Sequence, residues 1–244
     1  MVKHVLHTAL IIVWVVFDTI VLGVTVITIA LFSKKGNLAH WVARMWGRSI
    51  LFVSRVKVQI TGLENIPSQR SCILMSNHQS NFDIPVLLGR LPVQFRWLAK
   101  EELFKIPIFG RGMRGCGYIS IDRSNRKLAF ASLKEAARKI RDGVSVLIFP
   151  EGTRSRDGRI QPFKKGGFVL SVDAGVPIVP IVIYGTCFIM PKGRLLIRSR
   201  MVRMDILEPI ETTAFTRKTK DELMEKVRST ICEAYDRIAA SERS

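Results

Sequence analysis

Asn77-His78-Gln79-Ser80-Asn81-Phe82-Asp83 sets a histidine and a carboxylate five residues apart in a polar, turn-forming stretch. A neutral imidazole takes a proton from a hydroxyl near pH 7. A carboxylate on the other ring nitrogen fixes the tautomer and stabilises the imidazolium that forms. No Ser or Cys with an elbow signature lies between the two. The hydroxyl to be activated would therefore belong to a substrate. The same residues also suit a capped turn with no catalytic role.

Three further stretches carry polar chemistry at the end of an apolar run. Gly117-Tyr118-Ile119-Ser120-Ile121-Asp122-Arg123 ends in a charged pair, where Arg123 offers a guanidinium fork to a phosphate or sits on a plain strand end. Phe149-Pro150-Glu151-Gly152-Thr153-Arg154-Ser155 combines a tight turn at Gly152 with a second cation, Arg154. Glu151 in that turn would orient an arginine or a substrate hydroxyl, or simply pair with Arg154 in solvent. Phe163-Lys164-Lys165-Gly166-Gly167 precedes a helix and has the composition of an anion cradle. Lys100 adds to the same positive field. The apolar run 176–183 reads as a core strand, or as one wall of an acyl tunnel.

Strands and helices alternate from residue 56 onward. Strands are predicted over 56–61, 71–75, 95–99, 117–121, 144–149 and 178–184, with one or two more within 195–206. Helices are predicted over 83–90, 127–142, 168–174 and 219–240. This alternation implies an α/β class, with a mixed, largely parallel sheet covered by helices on both faces. In such sheets ligands gather at the strand ends, where all of these motifs fall.

Residues 10–32 are apolar apart from Asp18, Gly23 and three threonines. As a helix they would be about 34 Å long, enough for a hydrocarbon core of roughly 30 Å. Lys34, Lys35, Arg44, Arg48 and Arg55 follow, against Lys3 before it. That bias places the remainder on the cytoplasmic side of a cell inner membrane, the chain being monotopic or single-pass. A second helix over 38–53 has an apolar face with Trp41 and Trp46 and a stripe of His40, Arg44 and Arg48. It suits a helix lying among lipid headgroups, or an ordinary amphipathic helix packed on the domain. Residues 1–55 thus read as a two-helix membrane-anchoring segment, and 56–244 as the catalytic domain.

The formal charge is +18 on 244 residues, so the chain seeks anions. A mean hydropathy of +0.20 argues against a purely nucleic-acid-binding protein. Four separated cysteines with no C-x-x-C read as core thiols in a reducing compartment.

Taken in order, these blocks resemble the glycerolipid acyltransferase superfamily. Asn77, His78 and Asp83 meet its Asn-His-x-x-x-x-Asp pattern, and Gly117, Ile121, Asp122 and Arg123 its Gly-x-x-x-Ile-Asp-Arg block. Residues 149–155 match Phe-Pro-Glu-Gly-Thr-Arg-Ser without departure. Val176, Pro177 and Pro180 meet Val-Pro-x-x-Pro, and 99–107 is also similar. The resemblance implies transfer of a fatty acyl group from an acyl-carrier-protein or coenzyme A thioester to the sn-2 hydroxyl of lysophosphatidate. It casts His78 as general base and Asp83 as its partner. Asn77, Lys100, Arg123, Glu151, Gly152, Thr153 and Arg154 would bind substrate. No metal, cofactor or nucleic acid is implied, and an anionic membrane is the expected surface. The alternatives are another lysolipid acceptor, a membrane-anchored lipid-binding protein, or a hydrolase using the same dyad on water.

Overall fold

A computed structural model describes residues 2–33, 35–122 and 125–242, without the side chains of residues 2–4 and 126. In chain order the helices are α1 (Val2–Phe32), α2 (Asn37–Val53), α3 (Asp83–Arg90), α4 (Glu101–Phe104), α5 (Phe109–Gly115), α6 (Arg126–Arg141), α7 (Gly166–Ala174), α8 (Thr186–Ile189) and α9 (Lys220–Ser241). The strands are β1 (Lys57–Thr61), β2 (Ile73–Ser76), β3 (Phe95–Lys100), β4 (Ile119–Ile121), β5 (Ser145–Ile148), β6 (Ile178–Tyr184) and β7 (Met201–Ile206).

The strands form one sheet in the order β1-β7-β6-β2-β5-β3-β4. Every neighbouring pair is parallel except β6 with β7. The central strands β2 and β5 are buried along their whole length, which explains their unbroken apolar runs. β2 lies between β5 and β6, with Met75 opposite Ile148 and Pro180. The loops that leave the carboxyl ends of β2, β5 and β3 therefore emerge side by side.

Each face of the sheet has its own apolar layer. One unites Leu74, Leu147, Val179 and Ile183 with Ile11 and Val26 of α1, Ala39, Val42 and Ile50 of α2, and α3. The other packs Ala136 and Ile140 of α6, Phe168 of α7, and Leu223, Val227 and Ile231 of α9 onto the opposite face. The N-terminal helices thus share a core with the first layer. The helix α2 crosses α3 at two glycines: a Cβ on Gly47 would lie 2.9 Å from the amide nitrogen of Gly89. That close approach packs α2 against the C-terminal half of α3.

The helix α1 carries an apolar span, Val5–Phe32, mostly on its outer surface. Its two ends both touch the rest of the fold. Thr8 Oγ1 accepts from the Ile197 amide at 3.0 Å, and Ala30 packs against the Gly115 position of α5. Trp14 donates to Ser49 and Trp46 to Thr19, fixing α1 on α2.

One expectation is corrected in part. Of the His40, Arg44 and Arg48 stripe, His40 and Arg44 are buried, whereas Arg48 is exposed and donates to the Gly89 carbonyl at 3.1 Å. The outward face of α2 exposes Leu38, Trp41, Met45 and Phe52, with Arg48 among them. Within 195–206 one strand forms, Met201–Ile206, and residues 195–200 stay outside the sheet. Hydrogen bonds to Thr8 and Ser54 pull that stretch toward α1 and α2 instead. β6 is a core strand, the first of its two readings, and none of its residues lines the cavity at His78 described below. The short helices α4, α5 and α8 were not anticipated, being four to seven residues long and, in α5, rich in glycine. The cysteines are free, two of them buried.

Candidate active site

The parallel pairing of β2 with β5 places the loop after β2 against the loop after β5. Asp83 is the first residue of α3, and its buried Oδ2 accepts from His78 Nδ1 at 2.7 Å. The same oxygen accepts from the backbone amides of Gln79 at 2.7 Å and Ser80 at 2.8 Å. Three donors hold the carboxylate in one orientation. Nδ1 thereby carries the proton, and Nε2 keeps its lone pair for a ligand. The ring lies flat on Phe149, centroids 3.8 Å apart and planes at 8°. The His78 side chain is 15% exposed and that of Asp83 1%, so the base reaches the cavity while its partner stays dry.

Glu151 and Asn77 stand behind this loop. Glu151 is buried and accepts from the His78 amide at 2.6 Å and the Gln161 amide at 2.7 Å. Burial pushes its carboxyl up to about 7 against the pull of those two amides, with nearby Asp83 adding a small push. Asn77 exchanges two 2.8 Å hydrogen bonds with the backbone of Ile183 in β6. The resemblance assigns both to substrate binding; here each is 1% exposed. Their polar atoms are engaged by backbone, and both tie the histidine loop to its neighbouring strands.

His78 opens on a cavity of about 700 Å³. Its walls are apolar: Val15, Leu22 and Val26 of α1, Trp46 of α2, Trp97 of β3, and Met113 of α5 among them. At the mouth stand Lys100, Gly152, Thr153 and Arg154. Gly152 has φ +72°, the left-handed conformation the turn after β5 requires. Lys100 is ion-paired with Glu102 at 2.8 Å. Arg123 lies outside the described residues. Among the described residues no three His, Cys, Asp or Glu side chains gather as a metal site.

Sequence reasoning missed two contributors. Lys192 donates to Thr153 Oγ1 at 3.1 Å and to the Arg154 carbonyl at 2.7 Å, bracing the mouth from residues 191–200. No motif marks it. Phe149 lies inside the third block, but only the paired strands reveal that its ring supports His78.

A carboxylate-anchored imidazole thus opens on a largely apolar cavity that Lys100 and Arg154 also line. The acyltransferase family model matches residues 57–184, and this chain belongs to that family. It is 33% identical over 225 residues to a 1-acyl-sn-glycerol-3-phosphate acyltransferase of Saccharomyces cerevisiae, covering 90% of this chain and 73% of the yeast protein. A chloroplastic 1-acyl-sn-glycerol-3-phosphate acyltransferase of Brassica napus is 40% identical over 182 residues, 72% of this chain and 52% of the relative. The chain spans about half the length of such plant relatives. The crystal structure of the 1-acyl-sn-glycerophosphate acyltransferase PlsC from Thermotoga maritima superposes with a TM-score of 0.84 at 30% identity, covering 98% of this chain and 97% of that one.

Proposed function

We propose that this chain transfers a fatty acyl group from a thioester to the sn-2 hydroxyl of 1-acyl-glycerol-3-phosphate, making phosphatidate for phospholipid synthesis. The observation that carries this reading is the His78–Asp83 pair at 2.7 Å, opening on an apolar cavity with Lys100 and Arg154 at its mouth. His78 Nε2 takes the hydroxyl proton as the oxygen attacks the thioester carbonyl, and Asp83 stabilises the imidazolium. The tetrahedral intermediate collapses: the carbon–sulfur bond breaks, and the leaving thiolate takes the proton back from His78. Lys100, Arg154 and Arg123 would hold the acceptor phosphate, with Gly152 and Thr153 shaping the turn against it. The cavity, within the volume range of lipid-sized ligands, would take an acyl chain.

Residues 1–55 would associate with the membrane and 56–244 would carry the chemistry. The contacts at both ends of α1 favour a monotopic arrangement in one leaflet, on the cytoplasmic side of the inner membrane. An acyl-carrier-protein or coenzyme A thioester would be the donor, and the anionic leaflet and the acceptor phosphate suit the +18 charge. The test is acyl transfer by purified protein in mixed micelles, from each donor to lysophosphatidate, beside His78→Ala. Phosphatidate from wild type alone is the expected result. Free fatty acid without phosphatidate would instead identify a hydrolase. Turnover only on another lysolipid would change the acceptor, and substrate binding with no turnover would leave a lipid-binding protein.

A further inference from the structure

Residues 191–200 read Pro-Lys-Gly-Arg-Leu-Leu-Ile-Arg-Ser-Arg, with four cations and no acid. They form neither helix nor strand, yet they are firmly held. Ile197 is buried in the layer shared with α1 and α2, and it exchanges two hydrogen bonds with Thr8 of α1, at 3.0 and 3.4 Å. Ser199 donates to the Ser54 carbonyl just past α2 at 2.8 Å. At the other end Lys192 grips Thr153 and Arg154, and Ser80 of the histidine loop donates to the Met190 carbonyl. The segment thus bridges the catalytic loops to the first turns of the apolar helix. What it turns outward is Leu195, 74% exposed, between Arg194 on one side and Arg198 and Arg200 on the other, all exposed. The same end of α1 presents Val5, Leu6, Leu10 and Val13 to its surroundings.

We propose that residues 191–200 are a lipid-surface contact that seats the mouth of the site on an anionic leaflet. Leu195 enters the boundary between headgroups and acyl chains, continuing the apolar surface of α1. Arg194, Arg198 and Arg200 bind headgroup phosphates around it. Apolar side chains ringed by cations are the composition of interfacial elements, and each cation near an anionic surface strengthens binding by about fivefold. An acidic protein would be drawn by the same charge, but an isolated exposed leucine at the end of an apolar helix favours lipid. Because the segment also braces Thr153 and Arg154, contact with the leaflet would hold the site at the level where an amphiphilic acceptor resides. In this last point the inference rests on the proposed acyltransfer; the lipid contact does not.

The full chain carrying Leu195→Cys, labelled with an environment-sensitive fluorophore, would be titrated with phosphatidylcholine micelles, with or without phosphatidylglycerol. Wild type treated with the same reagent gives the background from native cysteines. The expected result is a blue shift and quenching by bromolipid that require phosphatidylglycerol. The apparent affinity should then fall by about fivefold for each arginine replaced by Gln at 194, 198 and 200. A label that stays in water with phosphatidylglycerol present overturns the proposal. So does an equal response to both micelles, or a stronger response to polyglutamate than to lipid. None of these readouts needs turnover. In a separate assay, the triple Gln variant should keep wild-type turnover on a water-soluble short-chain lysophosphatidate and lose stimulation by phosphatidylglycerol. Unchanged stimulation would remove the link to catalysis.

Discussion

His78 and His40 both engage Nδ1 with a neighbouring side chain, at 2.7 Å to Asp83 and 3.0 Å to the hydroxyl of Tyr118. One opens on the cavity and the other is sealed between α2 and β3, edge-on to Phe95 at 4.7 Å. Burial, with Arg96 and Arg44 close by, holds the His40 ring down to about 3, so it is neutral at any working pH. The same side chain is thus a candidate base in one place and a packed polar core residue in the other. The difference lies in the partner and in access. A carboxylate stabilises the imidazolium that proton transfer creates, whereas a phenol in a dry pocket does not.

The sharpest way to break this comparison is to remove each ring. His78→Ala should lower turnover by about 10⁴-fold while circular dichroism and thermal unfolding stay close to wild type. If His40→Leu matched that loss, the distinction would collapse. Asp83→Asn should cost about 10³-fold in kcat with little change in acceptor KM, because the amide no longer fixes the tautomer. Arg154→Gln should act on binding instead, raising the acceptor KM by about 10- to 100-fold at nearly constant kcat. A kcat effect alone would take Arg154 away from the phosphate.

The two buried ionisable groups sharpen the comparison through pH. Glu151 stands at about 7 in the fold against 4.5 unfolded. Between those values the unfolded chain binds fewer protons, so this group lowers stability as pH rises. His40 has the opposite sign: at about 3 against 6.5, it lowers stability as pH falls through that window. Glu151→Gln should therefore remove a stability loss between about pH 4.5 and 7, and His40→Leu one between about pH 6.5 and 3. Thermal unfolding across pH 4 to 8 checks both slopes. Glu151→Gln also sets an amide N–H₂ against the amides of His78 and Gln161, so its baseline should be lower by about 1–3 kcal/mol. The smallest effect is expected at His40→Leu near pH 8. Turnover should change by less than about threefold, and stability should fall by about 1–2 kcal/mol as Tyr118 loses its partner.

Much of the architecture was legible because its signals are local. The unbroken runs at 145–148 and 178–183 could only be buried strands, and the helices after residues 83, 126 and 220 were marked by periodicity. Segments 101–104 and 109–115 were not legible, since helices so short bury too little to leave a period. The direction of the α2 stripe was missed for a different reason. Arginine in an amphipathic helix reads as a solvent-facing or headgroup residue, yet Arg44 is buried over Trp41 at 4.9 Å and His40 packs inward with it, leaving Arg48 exposed.

By itself, the sequence determined the chemistry-bearing residues, their spacing, the apolar first helix and the alternation that makes a parallel sheet. His78 and Asp83 lie five residues apart, so a turn onto a helix N-terminus suffices to join them. Tertiary structure alone decided the roles of Asn77 and Glu151, which depend on partners 106 residues away in β6 and up to 73 residues away in the histidine loop. It also decided that the cavity is walled by α1, α2, β3 and α5 rather than by β6, and that residues 191–200 run to α1 instead of joining the sheet. These outcomes follow from which surfaces meet when two apolar layers close on one sheet. No local pattern along the chain records that choice.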